Sequence, residues 1–303
     1  MPPPIVDPLW YRADQWLAEA HDEPRFTLIG VPTSVASLSP SHAHLAPERV
    51  RDVLARLSTF DGERGLDLRD LAAADLGDWG VADLDVFAAL HSIEALAREL
   101  APGPVRAFLG GDNAITRPLV RGLAHEDLSA IGVLTLDAHH DVRSLDRGPT
   151  NGNPISGLIR DGLPGSHVVQ VGILAFANSR DYRDECEARG IEVRSRSDVE
   201  ARGIETVMSE TLATLGERCE RIFVDVDMDV LDRAFAPACP GARPGGLAPR
   251  ELFAAVRLAG RHPKVIGADF VEVDPERDVA DLTLFNTATA LLSFAAGVAE
   301  RER

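Results

Sequence analysis

The pattern that most limits the fold is a series of eight short apolar runs separated by segments with helical periodicity. Short apolar runs that end at Gly, Pro or Asp are typical of buried strands. They lie at 26–31, 71–75, 105–109, 131–136, 167–173, 191–194, 221–226 and 264–273. Because most of these strands alternate with helices, we predict an α/β fold with one doubly wound, mostly parallel eight-stranded sheet and helices on both faces.

The chain shows no linker that would divide this sheet into two domains. We predict a Pro-rich N-terminal extension over residues 1–25, with a short outer helix at 10–20, and one domain over residues 26–303. Further helices are predicted from residue 47 and at 84–100, 116–123, 180–188, 204–215, 249–258 and 284–300.

Charge and composition exclude several classes of partner. The formal net charge of −17 argues against nucleic acid and against an anionic membrane surface. We find no signal peptide and no run that approaches a membrane span. The three widely spaced cysteines lack metal-ligand spacing and are typical of a reducing compartment, so we predict a cytoplasmic protein.

The densest charge follows the seventh strand, in the acidic run Asp225-Val-Asp-Met-Asp-Val-Leu-Asp232. If the strand continues, Asp225, Asp227 and Asp229 project to one side because strand side chains alternate between faces. Like charges at about 6–7 Å spacing repel one another strongly in a partly buried site. The run therefore predicts bound divalent cations, and more than one of them.

Two further polar motifs follow other strands. The segment Asp137-Ala-His139-His140-Asp141-Val142-Arg143 comes directly after the strand at 131–136, and the same alternation predicts that Asp137, His139, Asp141 and Arg143 share one face. Gly110-Gly-Asp-Asn113 follows the strand at 105–109, where glycines let the backbone approach a crowded site. Ligands bind at such strand ends in doubly wound sheets.

Together these motifs resemble the ureohydrolases, the family of arginase, agmatinase and formimidoylglutamase. The resemblance also includes Gly30-Val-Pro32, Phe235-Ala-Pro237, Pro244-Gly-Gly-Leu247 and Val271-Glu272-Val-Asp-Pro275. It implies an arginase-like catalytic domain that uses two Mn²⁺ ions. Asp137 and Asp227 would bridge them, and each ion would have two further ligands: Asn113 and Asp141 for one, His139 and Asp229 for the other.

Asn113 departs from the family pattern, which usually has histidine at this position. A neutral amide oxygen is a weaker ligand than an imidazole nitrogen. Two outcomes remain open: a working pair of ions with one loosely held, or a mononuclear or inactive site. Asp225 also departs, because the family favours Ser or Thr there.

The resemblance further implies hydrolysis of a C–N bond in an amidine or guanidine by a hydroxide that bridges the two ions. Asp141 would carry a proton to the departing nitrogen, and Glu272 would orient the cationic nitrogens of the substrate. The loop after Asp141 is similar to that of formimidoylglutamases, and its candidate substrate-binding residues are Arg143, Arg147, Asn151 and Asn153.

Chemistry favours the same substrate, because formimidoylglutamate carries two carboxylates that Arg143 and Arg147 could bind by charge-assisted contacts. The leading prediction is thus an enzyme that converts formimidoylglutamate and water to glutamate and formamide. One alternative is an agmatinase or another guanidino-compound hydrolase that releases urea. Another is a non-catalytic ureohydrolase-like binding protein, motivated by Asn113. A homo-oligomer that acts on a small molecule is expected from the family resemblance.

Overall fold

The computed structural model describes residues 7–19, 21–125 and 127–301. Its core is one eight-stranded sheet in which all neighbouring strands run parallel. In chain order the strands are β1 (Phe26–Val31), β2 (Ala73–Asp78), β3 (Val105–Gly110), β4 (Ile131–Leu136), β5 (Val168–Ile173), β6 (Glu192–Ser195), β7 (Arg221–Asp227) and β8 (Val265–Val271). Across the sheet their order is β2-β1-β3-β8-β7-β4-β5-β6. The predicted fold class is confirmed.

Helices cover both faces of the sheet. They are α1 (Ala13–Ala18), α2 (Ala46–Leu54), α3 (Val86–Glu99), α4 (Thr116–Ala124), α5 (Pro154–Asp161), α6 (Arg180–Arg189), α7 (Arg196–Arg202), α8 (Ile204–Arg218), α9 (Pro249–Arg261) and α10 (Leu282–Ala299). Helices α1, α2 and α7 to α10 contribute buried residues to one apolar core, whereas α3 to α6 contribute to a second. Two separate cores are what a sheet buried on both faces requires.

The prediction missed helices α5 and α7 and a two-stranded hairpin, Phe60–Asp61 with Leu66–Asp67. Helix α1 is not an outer helix, because Trp16 is 1% exposed, stacks on Phe26 and donates from Nε1 to the Leu71 carbonyl at 2.8 Å. Residues 1–6 and Ala20 of the predicted extension lie outside the described residues. The domain boundary at residue 25 stays a prediction.

Helix α10 is the one helix of the described chain that is long and apolar enough to cross a bilayer. The expectation that no run approaches that length is therefore wrong. However, 67% of its 18 residues are buried within the protein, and the helix packs on α9 and α2. Its apolar composition is accounted for by its position in the core.

The four central strands, β3, β8, β7 and β4, are adjacent to one another in the sheet. Because they are parallel, their carboxyl ends meet at one edge of the sheet, where ligands bind in folds of this class. Each of the four is followed by an acidic or amide residue: Asn113, Glu272, Asp229 and Asp137. The sheet order thus brings together motifs that are more than 150 residues apart in the chain.

Candidate active site

A cavity of about 160 Å³ opens at this edge of the sheet. Its floor is acidic, and its rim is formed by the loops that follow β1, β4, β5 and β7. A concave site with converging polar groups at the strand ends is the expected place for a ligand. The residues that line it include Ser37, Leu38, Ser41, His139, Asp141, Arg143, Asn151, Asn178, Tyr182, Asp227, Asp229, Arg243 and Glu272.

The first part of the floor is a cluster of Asp137, His139 and Asp229, each of which offers a ligand atom within 4.8 Å of the others. His139 Nδ1 lies 2.9 Å from Asp229 Oδ2 and 3.5 Å from Asp137 Oδ1. The His139 backbone N–H also donates to Asp137 Oδ1 at 2.6 Å. Two carboxylates and one imidazole in contact form a donor set that suits a divalent cation such as Mn²⁺.

In the second part of the floor, Asn113 and Asp141 are in contact. Asn113 Nδ2 donates to Asp141 Oδ2 at 2.6 Å. Asp227 lines the same cavity as Asp141, and its Oδ1 accepts from the Asp229 backbone N–H at 2.8 Å. All six predicted metal ligands therefore meet at one edge of the sheet. The polar atom that Asn113 presents to Asp141 in this structure is its amide nitrogen.

Strand alternation does not explain how these ligands converge. Strand β4 ends at Leu136 and β7 at Asp227, and Asp229 lies in the 3₁₀ turn Met228–Val230. Asp141 has a left-handed backbone, with φ of 54°. The expectation of one shared strand face is wrong, because turns that begin directly after the strands redirect the side chains. Such sparsely populated backbone conformations cluster at functional sites.

Asp225 was expected on the same face as Asp227 and Asp229, but it lies within the sheet. It is 0% exposed, and its register partner on β8 is Asp269, which is also fully buried. Neither Asp225 oxygen has a hydrogen-bond donor among the described residues. Burial, followed by the charge of Asp269, raises the pKa of Asp225 well above its usual range. A proton held between the two carboxyl groups would satisfy both.

Burial and mutual repulsion dominate the electrostatics of the floor. Burial and the charge of Asp229 raise the pKa of Asp137 to about 6. Burial raises the pKa of Asp227 and of Asp141 well above the usual range, and their acidic neighbours add to the effect. Attraction to Asp229 raises the pKa of His139 to about 12. Asp229 is the exception, because its burial is outweighed by the charge and hydrogen bond of His139, which lower its pKa. The raised pKa values of the other carboxyls favour protonation where no positive charge is near, so the site is suited to exchange protons for a metal ion.

Glu272 occupies the position between the two loops that approach the floor. Its Oε1 accepts from the Asn113 backbone N–H at 2.7 Å and from Asn151 Nδ2 at 3.0 Å. Its backbone is left-handed, with φ of 66°, and burial raises the pKa of its carboxyl to about 8. Because both of these hydrogen bonds are to Oε1, Oε2 can accept from a ligand in the cavity.

The substrate-binding candidates divide into two pairs. Arg143 and Asn151 line the cavity, and the Arg143 guanidinium lies 5.9 Å from the centre of the Tyr182 ring. Arg147 is exposed and does not line it. Asn153 is buried and stabilises the conformation of its own loop. Its Nδ2 donates to the carbonyls of residues 144 and 148, and its Oδ1 accepts from the Thr150 backbone N–H. The structure does not bring Arg147 or Asn153 to the cavity.

Sequence reasoning missed much of the rim, including Ser37, Leu38, Tyr182 and Arg243. The loop after β1 is held over the site by Asp112, whose Oδ2 accepts from the Ala36 backbone N–H at 2.9 Å and from the Ser37 hydroxyl at 3.2 Å. This loop follows β1, which pairs with the central strand β3 and ends on the same side of the sheet. Its position after a parallel strand could have indicated that it borders the site. No comparable local signal marked Tyr182 or Arg243.

A prediction for the metal-free protein follows from these pKa values. Asp112, Asp137 and Asp269 have folded pKa values of about 6, 6 and 7, against an ordinary value of 3.8. A carboxyl whose pKa is raised on folding contributes stability below its unfolded pKa and loses it as the pH rises through its folded pKa. Unfolding in a chelator should therefore show Tm falling by at least about 5 °C between pH 4.5 and pH 7.5. A flat or rising Tm would contradict the proposed state of the floor.

The family model described as "Arginase: Arginase family" matches residues 24–297. The chain belongs to the arginase family. Among the relatives of this arginase-family chain, a formimidoylglutamase of Halalkalibacterium halodurans is 40% identical over 277 residues, which is 90% of this chain and 86% of that protein.

Two solved structures share the arginase-family fold described above. A Bacillus subtilis formimidoylglutamase has a TM-score of 0.94 at 32% identity, with 100% of this chain and 96% of that chain covered. A Trypanosoma cruzi formiminoglutamase, solved with Mn²⁺, has a TM-score of 0.88 at 22% identity, with 96% of this chain and 99% of that chain covered. The second likeness is one of fold alone.

Proposed function

We propose that this arginase-family chain hydrolyses formimidoylglutamate to glutamate and formamide. One observation carries the proposal: a cluster of metal-type ligands and the cationic Arg143 line the same cavity of an otherwise acidic protein. The formimidoylglutamases reported above support it, since they are similar over nearly the whole chain.

We propose that the donor set holds two Mn²⁺ ions. The contacts place His139 against Asp229 and Asp137, and Asn113 against Asp141. In a two-ion site, Asp137 and Asp227 would be shared between the two groups. Carboxylates with a single imidazole suit Mn²⁺, whereas zinc sites usually hold more His or Cys. When bound, such ions lower the pKa of a coordinated water and so supply a nucleophile at neutral pH. We expect the Asn113 position to bind its ion more weakly than an imidazole would.

Asp141 and Glu272 do the remaining proton and orientation chemistry. Asp141 lines the cavity, where its carboxylate can accept a proton and deliver it to the departing nitrogen. Glu272 is fixed through Oε1 by Asn113 and Asn151, which leaves Oε2 to accept from the N–H groups of a planar amidinium. A carboxylate held by two donors loses little freedom when it binds substrate.

Arg143 supplies specificity. It lines the rim above the acidic floor, and no carboxylate of the described residues forms an ion pair with it. It can therefore bind a carboxylate of the substrate while the amidine end lies over the floor. Agmatine has no carboxylate and carries two positive charges, so Arg143 would repel it. We assign Arg147 to long-range attraction of the anion, and Asn153 to the shape of the loop.

Product analysis tests this function. Purified protein with Mn²⁺ should convert formimidoylglutamate to glutamate and formamide in equal amounts, and should leave agmatine and arginine intact. Urea from a guanidino compound, with no formamide, would replace the proposal by the guanidino-hydrolase alternative. A protein that binds Mn²⁺ but turns over neither class of substrate would be a binding protein.

We also propose a cytoplasmic homo-oligomer. Support for the location comes from Cys186, Cys219 and Cys239, which are all free and buried, as in proteins of reducing compartments. Fractionation of cells and light scattering of the purified protein test the two statements. Disulfide-linked chains from the source compartment, or a monomeric mass at micromolar concentration, would contradict them.

A further inference from the structure

The amide of Asn113 is held from beneath by Thr116, the first residue of α4. Thr116 is 0% exposed, and its Oγ1 lies 2.8 Å from Asn113 Oδ1 and 2.8 Å from Asp269 Oδ2. A hydroxyl has one hydrogen to donate, whereas the Asn113 amide oxygen and an ionised Asp269 carboxylate are both acceptors. The contacts of Thr116 therefore cannot both be satisfied unless a neighbour supplies a hydrogen.

A half-turn of the Asn113 amide removes the conflict. Amide oxygen and nitrogen have nearly the same shape, so their positions are assigned from the hydrogen-bond network. After rotation, Nδ2 donates to Thr116 Oγ1, and the Thr116 hydroxyl donates to Asp269 Oδ2. One amide N–H of Asn113 and the Thr116 hydroxyl then each have one acceptor. The rotated oxygen faces Asp141, where the structure now has the amide nitrogen at 2.6 Å.

Asp269 is the last acceptor in this chain of hydrogen bonds, and the orientation of its carboxyl group is fixed. Its Oδ1 accepts from the Val226 backbone N–H at 3.3 Å, so its Oδ2 is the oxygen that faces Thr116. Asp269 and Thr116 are both 0% exposed, so water does not replace either partner. A buried acceptor of fixed orientation determines in which direction the Thr116 hydroxyl points.

We propose that Thr116 is a positioning residue for the metal centre. Its oxygen accepts from the rotated Asn113 amide and its hydroxyl donates to Asp269, which holds Asn113 Oδ1 toward the cation beside Asp141. The opposite orientation, which the structure has, directs the amide N–H group at Asp141 Oδ2 instead. The inference rests on the proposed role of Asn113 as a ligand.

Mn²⁺ titration of the full-length protein by calorimetry tests this role without reference to activity. Thr116→Val keeps the shape of the side chain and removes the hydroxyl, and it should weaken one of the two sites by about 10- to 100-fold. Thr116→Ser, the matched control, keeps the hydroxyl and should bind both ions within about threefold of the parent. Equal affinities in the parent and in Thr116→Val would overturn the inference.

Asp269→Asn is an independent variant if Thr116→Val does not fold. Its Oδ1 continues to accept from Val226, so its Nδ2 faces Thr116 and donates to it. The Thr116 hydroxyl must then donate to Asn113 Oδ1, which withdraws that oxygen from the cation. The same single site should weaken, and an unchanged site would contradict the inference.

A third comparison separates this inference from the proposed function. In an Asn113→Ala background the ligand is absent, so Thr116→Val should weaken the site no further. Additive losses would show that Thr116 acts by another route and would overturn the inference. If the parent protein itself binds no Mn²⁺, the proposed function fails first. If the parent binds two ions and makes formamide, and Thr116→Val binds both ions with the parental affinities, the inference alone fails.

Discussion

Asp227→Asn should lose activity and Mn²⁺ binding while its metal-free form becomes at least as stable as the parent. Asp227 is 3% exposed, and burial and acidic neighbours raise its pKa well above the usual range. Replacing it with a neutral amide of the same shape removes repulsion, and the amide oxygen can still accept from the Asp229 backbone N–H. Because a shared metal ligand is lost, kcat should fall at least about 100-fold, beyond the loss caused by most outer-shell changes.

Thermal unfolding with and without Mn²⁺ separates the two effects. The parent should gain stability from the metal, by about 2.7 kcal/mol at a concentration 100 times Kd, whereas Asp227→Asn should gain much less. Asp83→Asn is the matched control, since Asp83 is exposed and lies away from the cavity. It should retain the parental activity and the parental response to Mn²⁺. If Mn²⁺ stabilises Asp227→Asn as much as it stabilises the parent, Asp227 is not a metal ligand.

Arg143→Met should lower kcat/KM for formimidoylglutamate by about 10- to 30-fold, mainly through KM. A hydrogen bond to a charged group contributes about 1.5–3 kcal/mol, and the exposure of Arg143 places the expected loss in the lower part of that range. Methionine keeps the unbranched aliphatic stem and removes the charge. Because the contact is to a remote carboxylate, it should be equally strong in the ground and transition states.

Arg147→Met is the control for Arg143→Met, because Arg147 is an arginine of the same loop that does not line the cavity. Its kcat/KM should stay within about threefold of the parent at 0.15 M salt, where long-range attraction is screened. Equal losses in the two variants would show that net charge, and not a contact at the rim, determines the affinity. The Mn²⁺ affinity of both variants should be unchanged.

The sequence was sufficient to predict all eight strands. Six of them are buried almost throughout and are continuous apolar runs bounded by turns, whereas β2 and β6 are only partly buried. The missed helix α5 begins at Pro154 in a segment that the motif analysis treated as a specificity loop. Helix α7 has only seven residues and one buried residue, Val199, so it lacks an apolar stripe. The order of the strands across the sheet depends on packing between distant elements, and local patterns do not contain that information.

The candidate ligands could be chosen from the sequence because acidic residues directly after buried strands converge in a parallel sheet. The backbone geometry that makes these side chains converge could not be predicted from the sequence. It depends on the turn Met228–Val230 and on the left-handed conformation of Asp141, which are tertiary features. The position of Asp225 opposite Asp269 depends on the register of β7 with β8, which no local pattern specifies. The role of Asn153 in its loop likewise required the structure.

The central claim is that carboxylates from separate strands hold a pair of cations. Diffraction from crystals grown with Mn²⁺, recorded at the manganese absorption edge, measures this most directly. We predict two anomalous peaks per chain, one beside His139 and Asp229 and the other beside Asn113 and Asp141, with Asp137 and Asp227 between them. Saturating Mn²⁺ with no peak among these six residues would contradict the account.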